Sequence, residues 1–130
     1  MSDPVALLDT NIIVACFRGD KGVASEISRC EELYLPLVVL AELLCGVQRS
    51  RDPERGRQQL GEFASLCHLL APDAETAEVY AQIDTSLRQA GTPLPVHDVW
   101  VAALALQHGL PLATRDIHFR QIPQLKLVSW

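Results

Sequence analysis

Short apolar runs alternate along this chain with longer stretches in which apolar residues recur at helical spacing. The first run, residues 5–8, is apolar throughout and predicts a strand buried on both faces. Comparable runs predict further strands at 33–35, 68–70, 110–113 and 126–129. Helices are predicted over 12–17, 21–32, 37–48, 54–66, 73–90 and 98–107, with one helical turn at 119–122. Strands that alternate with helices indicate an α/β fold built on a parallel sheet.

The composition fits one domain that spans residues 1–130. Apolar residues make up 48% of the chain and charged residues 21%, which excludes a wholly disordered protein. The longest uncharged apolar stretch, residues 33–41, is far shorter than the roughly 20 residues of a membrane-spanning helix. No basic segment precedes an apolar one at the start of the chain, so we expect no secretion signal and a cytoplasmic location.

Four cysteines lie at positions 16, 30, 45 and 67, and no two of them form a C-x-x-C pair. Their spacing does not suit a zinc site. Because each has apolar or helical surroundings, we expect buried free thiols rather than disulfides.

The net charge of −5 argues against a nucleic-acid-binding protein that works through an overall positive field. Arginines are nevertheless concentrated in one segment, at positions 49, 51, 55 and 57. An acidic chain with such a segment could bind metal in one place and phosphate in another. On composition alone, an exposed turn and helix start is the simpler interpretation.

Four of the sixteen acidic residues lie where solvated acids are not expected. Asp9 directly follows the first predicted strand, and Asp116 lies in the turn after the fourth. Glu42 interrupts an otherwise apolar helix, and Asp98 stands at the start of another. Each also has a simpler explanation. Asp9 and Asp98 suit helix N-caps, Glu42 suits a partly exposed stripe, and Asp116 suits a solvated turn.

These four acids are more informative as a set. The carboxyl ends of parallel strands meet at one edge of the sheet, where ligands bind, which places Asp9 and Asp116 together. Asp98 approaches them if its helix begins at that edge. Clustered carboxylates raise one another's pKa unless cations share the site, and an all-oxygen ligand set selects Mg²⁺ or Mn²⁺. Such sites serve phosphodiester hydrolysis.

Short segments around these acids carry a family resemblance. They are LDTN at 8–11, LAEL at 40–43, PVHD at 95–98 and LATRD at 112–116. None is specific alone, but in this order and spacing they resemble the PIN-domain ribonucleases, and most closely the VapC-type toxins of bacterial toxin–antitoxin pairs. The resemblance runs the whole length of the chain to Trp130.

The resemblance implies a three-layer α/β/α fold with a five-stranded parallel sheet and Mg²⁺- or Mn²⁺-dependent endoribonuclease activity. It also implies a VapB-type antitoxin partner and pairing into a homodimer. The last expectation is strengthened by the helices predicted at 37–48 and 98–107, which have more apolar surface than one short sheet can cover. The catalytic and metal-binding acids of the family correspond to Asp9, Glu42, Asp98 and Asp116, with Asn11 and Thr114 in supporting positions.

Two further residues are candidate contacts to an RNA substrate. Arg115 lies between Thr114 and Asp116, where it could meet a phosphate or pair with a site acid. His97 precedes Asp98 at a position where many relatives carry asparagine, which leaves the acid intact but could alter the hydrogen bonds around it.

Two alternatives belong to other functional classes. A response-regulator receiver domain also gathers acids at strand ends, but it needs a lysine after the last strand, and here Lys126 opens that strand. A PIN-like module that binds RNA or protein without cleaving would be indicated by an incomplete acid set, and the set here is complete.

Overall fold

The computed structural model describes residues 4–130, and over this range five strands alternate with six α-helices. The strands are β1 Val5–Leu8, β2 Glu32–Pro36, β3 Cys67–Leu70, β4 Leu112–Ala113 and β5 Leu127–Val128. The helices are α1 Thr10–Phe17, α2 Lys21–Arg29, α3 Leu37–Gln48, α4 Pro53–Ala64, α5 Ala74–Gln89 and α6 Val96–His108, and a 3-10 helix covers Ile117–Gln121. Because Met1–Asp3 lie outside the described residues, the single domain over residues 1–130 stays a prediction.

All strand pairs are parallel, in the order β3-β2-β1-β4-β5. The predicted three-layer α/β/α fold with a five-stranded parallel sheet is therefore confirmed. The central strand β1 has the fully apolar sequence that its position requires, since Ala6, Leu7 and Leu8 are completely buried. Helix α6 covers the sheet with an unbroken buried segment, 101–105.

The strand order reverses its direction across the sheet between β1 and β4, and we call this place the reversal point. From β1 the chain moves through β2 to β3, and it returns on the other side of β1 through β4 to β5. Right-handed crossovers then put α1 to α4 on one face and α5 with α6 on the other. In open α/β sheets, ligands bind beyond the strand ends at this reversal point.

Several predicted helix boundaries differ from the observed ones by one to three residues, and two of these differences change the interpretation of a residue. The helix predicted over 21–32 ends at Arg29, because Glu32 already pairs with Val5 as the first residue of β2. The helix predicted to start at Asp98 starts at Val96, with Pro95 as its N-cap residue. Asp98 therefore lies in the first turn of α6 and does not cap it.

The fourth strand is shorter than predicted, because Leu110 and Pro111 precede it. A proline in such a run predicts the start of a strand or an edge strand; Pro111 stands directly before the first residue of β4, and β4 is not an edge strand. Strand β4 lies between β1 and β5, and the carbonyl of Pro111 accepts a hydrogen bond from the Leu7 N–H. The missing N–H of proline is tolerated there since the residue stands ahead of the ladder.

All four cysteines are free thiols, as predicted, but their predicted burial is only partly correct. Cys16, Cys30 and Cys67 are half-buried, and burial raises the pKa of each thiol, to about 11 for Cys67. Cys45 is exposed, because it lies on the side of α3 that faces away from the sheet. Separately, none of the helices within residues 4–130 is long and apolar enough to cross a membrane.

Candidate active site at the reversal point of the sheet

Asp9 follows β1 and is the N-cap residue of α1, so it is both a helix cap and an acid at the sheet edge. Only 5% of the residue is exposed. Its Oδ1 accepts a hydrogen bond from the Thr10 N–H at 2.8 Å, and its Oδ2 accepts one from the Thr114 hydroxyl at 2.7 Å. Two hydrogen bonds from the chain itself thus fix the position of this carboxylate.

Asn11 and Thr114 connect this carboxylate to the loop after β4. The Asn11 side-chain amide donates to Asp9 Oδ2 at 3.3 Å and to Thr114 Oγ1 at 3.4 Å, and its carbonyl oxygen accepts from the Arg115 N–H at 3.2 Å. The Thr114 hydroxyl oxygen in turn accepts from the Asp116 N–H at 3.0 Å. Both predicted supporting residues, Asn11 and Thr114, therefore donate hydrogen bonds to the Asp9 carboxylate.

Asp116 is the N-cap residue of the 3-10 helix and is half-buried. Its Oδ1 accepts from the His118 N–H and lies 2.7 Å from His118 Nδ1. One carboxylate oxygen is thereby occupied by His118, a neighbour that the sequence analysis did not single out.

Glu42 and Asp98 come from two helices that contact each other, α3 and α6. The Glu42 side chain is 50% exposed, and its Oε2 lies 3.0 Å from Nε2 of His97. The structure thus brings His97 against a site acid. The partly exposed position of Glu42 on α3 agrees with the simpler of the two interpretations drawn from the sequence.

Burial raises the pKa of Asp98 above its ordinary value, and the negative charges of Asp9 and Asp116 raise it further. Burial also raises the pKa of Asp9, although the hydrogen bonds from Thr114 and Thr10 oppose this increase. The pKa of Asp9 is thus raised mainly by burial, whereas crowded negative charge adds to burial in raising the pKa of Asp98.

One cavity of about 340 Å³ has all four acids, Asp9, Glu42, Asp98 and Asp116, in its wall, together with Thr10, Asn11, Val14 and His97. The geometry thus brings together the acids that the sequence analysis selected. Across residues 4–130, however, no three His, Cys, Asp or Glu side chains stand close enough to hold a metal ion. The four carboxylates stand around the wall of the cavity.

The donor chemistry of this cavity fits a hard divalent cation such as Mg²⁺ or Mn²⁺. Its charged groups are carboxylates, which these ions prefer. Two buried side-chain atoms in the described part of the chain, Thr10 Oγ1 and His97 Nε2, make no hydrogen bond, and both residues line this cavity. The 3.0 Å approach of His97 Nε2 to Glu42 Oε2 is an ion-pair contact that lacks hydrogen-bond geometry. Unsatisfied polar atoms around an acidic cavity are what a site for a hydrated cation provides.

The guanidinium group of Arg115 points away from the four acids. Its Nη2 lies 2.6 Å from Asp20 Oδ2, and its Nε donates to the carbonyl oxygen of Trp130 at 2.8 Å. Arg115 was a candidate to pair with a site acid, and that prediction is wrong, because its partner is Asp20, which caps α2. Thr10 and Asp20 were both missed, although each stands beside a recognised residue: Thr10 follows Asp9, and Asp20 ends the first helix–helix turn.

Comparison with known proteins gives the family of this chain. The PIN domain family matches residues 6–125. The chain is 35% identical over 127 residues to the ribonuclease VapC of Rickettsia bellii. The matched region covers 95% of this chain and 94% of that protein. It is 30% identical over 100 residues to the ribonuclease VapC4 of Mycobacterium tuberculosis, over 75% of this chain and 77% of the relative.

Solved structures agree with this assignment. The fold superposes with a TM-score of 0.90 on a chain of VapBC2 from Rickettsia felis bound to a DNA fragment from their promoter, at 26% identity and over 98% of this chain and 99% of that one. VapBC-1 from nontypeable Haemophilus influenzae gives a TM-score of 0.89 at 25% identity, over 98% of both chains. With its parallel sheet and its acids at the reversal point, this chain belongs to the PIN-domain family and, within it, to the VapC proteins.

Proposed function

We propose that this protein is a Mg²⁺- or Mn²⁺-dependent endoribonuclease that hydrolyses phosphodiester bonds of RNA as the toxin of a toxin–antitoxin pair. The observation that carries the proposal is the single cavity lined by Asp9, Glu42, Asp98 and Asp116. Support comes from the relatives, which are named ribonucleases and share most of their length with this chain. The cytoplasmic location stays a prediction.

The chain's own residues have distinct roles in this proposal. Asp9 is the fixed carboxylate, held by Thr114 and Asn11, whereas Glu42, Asp98 and Asp116 would complete the ligand set around the cavity. When bound, Mg²⁺ or Mn²⁺ supplies a Lewis acid that activates water and neutralises charge on the phosphate. Without such a cation, the crowded acids would repel an RNA phosphate.

The decisive experiment is cleavage of a pool of cellular RNAs by the purified protein, with the cleaved ends mapped. We expect cleavage with Mg²⁺ or Mn²⁺, none with EDTA, and none from an Asp9→Asn variant purified in parallel. RNA binding without cleavage under every metal condition would instead support the alternative of a PIN-like binding module. Equal cleavage in EDTA would contradict the metal dependence.

We further propose a VapB-type antitoxin as partner, because the structural neighbours include VapBC complexes. A mostly apolar groove between α1, α3 and α4, of about 740 Å³, opens beside the acidic cavity and shares Thr10 and Glu42 with it. A protein segment bound in this groove would reach the acids.

Two helical glycines provide a matched test of that groove. Gly46 lines it and Gly61 does not, and a Cβ atom would meet open space at both. We expect Gly46→Trp to weaken inhibition by the antitoxin encoded beside this gene, and Gly61→Trp to leave inhibition unchanged. Equal inhibition of both variants would place the antitoxin elsewhere.

A homodimer remains part of the proposal, but one of its two reasons from the sequence is only partly correct, because it fails for most of α6. The apolar segment 101–105 of α6 is buried within the chain. Exposed apolar side chains instead mark the starts of two helices, with Leu37 on α3 at 41% exposure and Val96 on α6 at 60%. Light scattering at high micromolar concentration should give the mass of a dimer. A strict monomer with and without antitoxin would contradict it.

A further inference from the structure

The side chain of Arg115 makes two directional contacts although 43% of it is exposed. Its Nη2 donates to Asp20 Oδ2 at 2.6 Å, and its Nε donates to the Trp130 carbonyl oxygen at 2.8 Å. The guanidinium group is therefore held at two separate nitrogen atoms, which fixes its plane as well as its position.

Asp20 is itself a fixed partner. Its Oδ1 accepts from the Val23 N–H at 3.1 Å and caps α2, and its own N–H donates to the Ala15 carbonyl at 3.0 Å. Arg115 also holds the pKa of Asp20 below its ordinary value. The contact thus ties the loop after β4 to the turn between α1 and α2.

The backbone of Arg115 is linked to the acidic cavity through Asn11, which lines it. Its N–H donates to Asn11 Oδ1, so the Asn11 amide nitrogen is turned toward Asp9 Oδ2 and Thr114 Oγ1. The Thr114 hydroxyl contacts Asp9, and it accepts from the Asp116 N–H. A displacement of residue 115 would therefore move Asp116 through the peptide bond and Asp9 through two hydrogen bonds, by way of Asn11.

The Arg115–Asp20 contact contributes little to the stability of the fold, but it can contribute more to the geometry of the acidic site. Half-exposed ion pairs contribute little to the free energy of unfolding. Contacts that orient metal-binding carboxylates from outside typically change metal affinity by about 10- to 100-fold when they are removed. The pair can thus matter for the site without mattering much for the fold.

We propose that Arg115 and Asp20 form a positioning pair that fixes the 114–116 loop, and through it Asp9 and Asp116, in the geometry that binds the divalent cation. The inference rests on the proposed metal-dependent cleavage. It assigns Arg115 a role through its neighbours, in place of direct contact with an RNA phosphate.

The test is a double-mutant cycle with Asp20→Asn, Arg115→Ala and the combined variant. Asparagine retains the oxygen that caps α2, so the first variant removes the ion pair and keeps the cap. We expect each single variant to bind Mn²⁺ about 10- to 100-fold more weakly, measured as free Mn²⁺ by electron paramagnetic resonance without RNA. The combined variant should be no worse than Arg115→Ala alone, because Arg115→Ala already removes the contact to Asp20 together with the one to the Trp130 carbonyl.

Steady-state cleavage of a fixed RNA at limiting Mn²⁺ provides the second readout. Loss of positioning lowers kcat and leaves KM for RNA within about twofold. The matched control is another exposed ion pair, Arg88–Asp84 on α5, with Nε and Oδ2 2.8 Å apart. Arg88→Ala and Asp84→Asn should change neither Mn²⁺ binding nor cleavage. Thermal unfolding of all variants checks that the Asp20 and Arg115 effects are not loss of fold.

Other results overturn the inference in ways that separate it from the proposed function. If Arg115→Ala raises KM while Asp20→Asn leaves it unchanged or lowers it, Arg115 contacts RNA directly and the positioning role is wrong. If both variants bind Mn²⁺ as the wild type does while Asp9→Asn does not, the inference alone fails. If the wild type binds Mn²⁺ no better than Asp9→Asn does, the proposed metal site fails and the inference fails with it.

Discussion

The two sides of the acidic cavity hold their carboxylates differently. On the β1–β4 side, Asp9 is buried and accepts hydrogen bonds from Thr10, Asn11 and Thr114. On the α3–α6 side, Glu42 is half-exposed beside His97, and within residues 4–130 the Asp98 carboxylate takes part in no side-chain hydrogen bond. One side is fixed by the chain itself, whereas the other has carboxylates that are free to adjust.

The difference follows from the elements that carry the acids. Strands β1 and β4 are hydrogen-bonded neighbours with Leu8 opposite Ala113, so the residues that follow them, Asp9 and Thr114, are brought together by the ladder. Helices α3 and α6 meet only through side chains, which leaves their acids more freedom. If the proposed cation binds, Asp9 would hold it from a fixed position, whereas Glu42 and Asp98 would be freer to adjust to it.

The largest effect should come from removing one carboxylate on each side. Asp9→Asn and Asp98→Asn should each lower RNA cleavage by about 10²-fold or more, the order that positioned catalytic groups contribute. Far-ultraviolet circular dichroism should show that both variants keep the fold. Normal turnover by both variants would contradict the assignment of the site.

The next effect isolates the hydrogen bonds of the strand side. Thr114→Val removes the donor to Asp9 at a position where only 5% of the residue is exposed. We expect about tenfold weaker cleavage and a loss of about 1–3 kcal/mol in the free energy of unfolding, because a buried acceptor loses a partner. The bond from Thr114 lowers the pKa of Asp9, so its loss should also move the acidic limb of the pH profile to higher pH.

Thr114→Ser is the matched control for that variant, because it keeps the hydroxyl group. It should retain most of the activity and the wild-type pH profile. If serine and valine behave alike, the methyl group rather than the hydrogen bond is what matters at this position.

A smaller effect is expected on the thermal stability of the metal-free protein when Asp98 is replaced. Burial and neighbouring carboxylates raise the pKa of Asp98 in the folded protein above its unfolded value. Its ionised form therefore destabilises the fold at neutral pH, and this cost disappears as the pH falls below the folded and then the unfolded pKa. Asp98→Asn should raise Tm in EDTA at pH 7 by roughly 2–4 °C, with the gain shrinking toward pH 4.

Two comparisons make that measurement specific. Glu78→Gln, on the exposed surface of α5, removes an acid away from the cavity and should leave Tm unchanged. With Mg²⁺ added, the wild type should gain stability over Asp98→Asn, because only the complete site binds the ion well. A lower Tm for Asp98→Asn in EDTA would show that its carboxylate stabilises the fold.

The sequence predicted the acids better than it predicted what surrounds them. Asp9 could be placed because it directly follows an apolar run, a local pattern, and the structure shows it as both helix cap and cavity acid. The bonds that orient it join Asn11 and Thr114 across 103 positions and depend on the register of β1 with β4, which no local pattern contains. The Asp20 partner of Arg115 was missed for the same reason.

Asp98 shows the opposite case, in which an error of two residues in a helix start changes the interpretation of a side chain. With α6 beginning at Val96, Asp98 lies in the first helical turn and its carboxylate lines the cavity instead of capping the helix. Pro95 immediately precedes the first helical residue, so it is the N-cap residue of α6. Hydrophobic periodicity alone does not predict helix boundaries that depend on such details.

The smallest effect should come from His97, on the adjustable side. Its Nε2 lies 3.0 Å from Glu42 Oε2, and the two side chains are 29% and 50% exposed. Pairs of this exposure contribute up to about 1 kcal/mol, so His97→Asn should change cleavage by no more than about fivefold. His68→Gln, which removes a comparable contact to Glu32 at the far edge of the sheet, should have no effect. A loss from His97→Asn as large as that from Thr114→Val would mean that the helix side is positioned as strictly as the strand side.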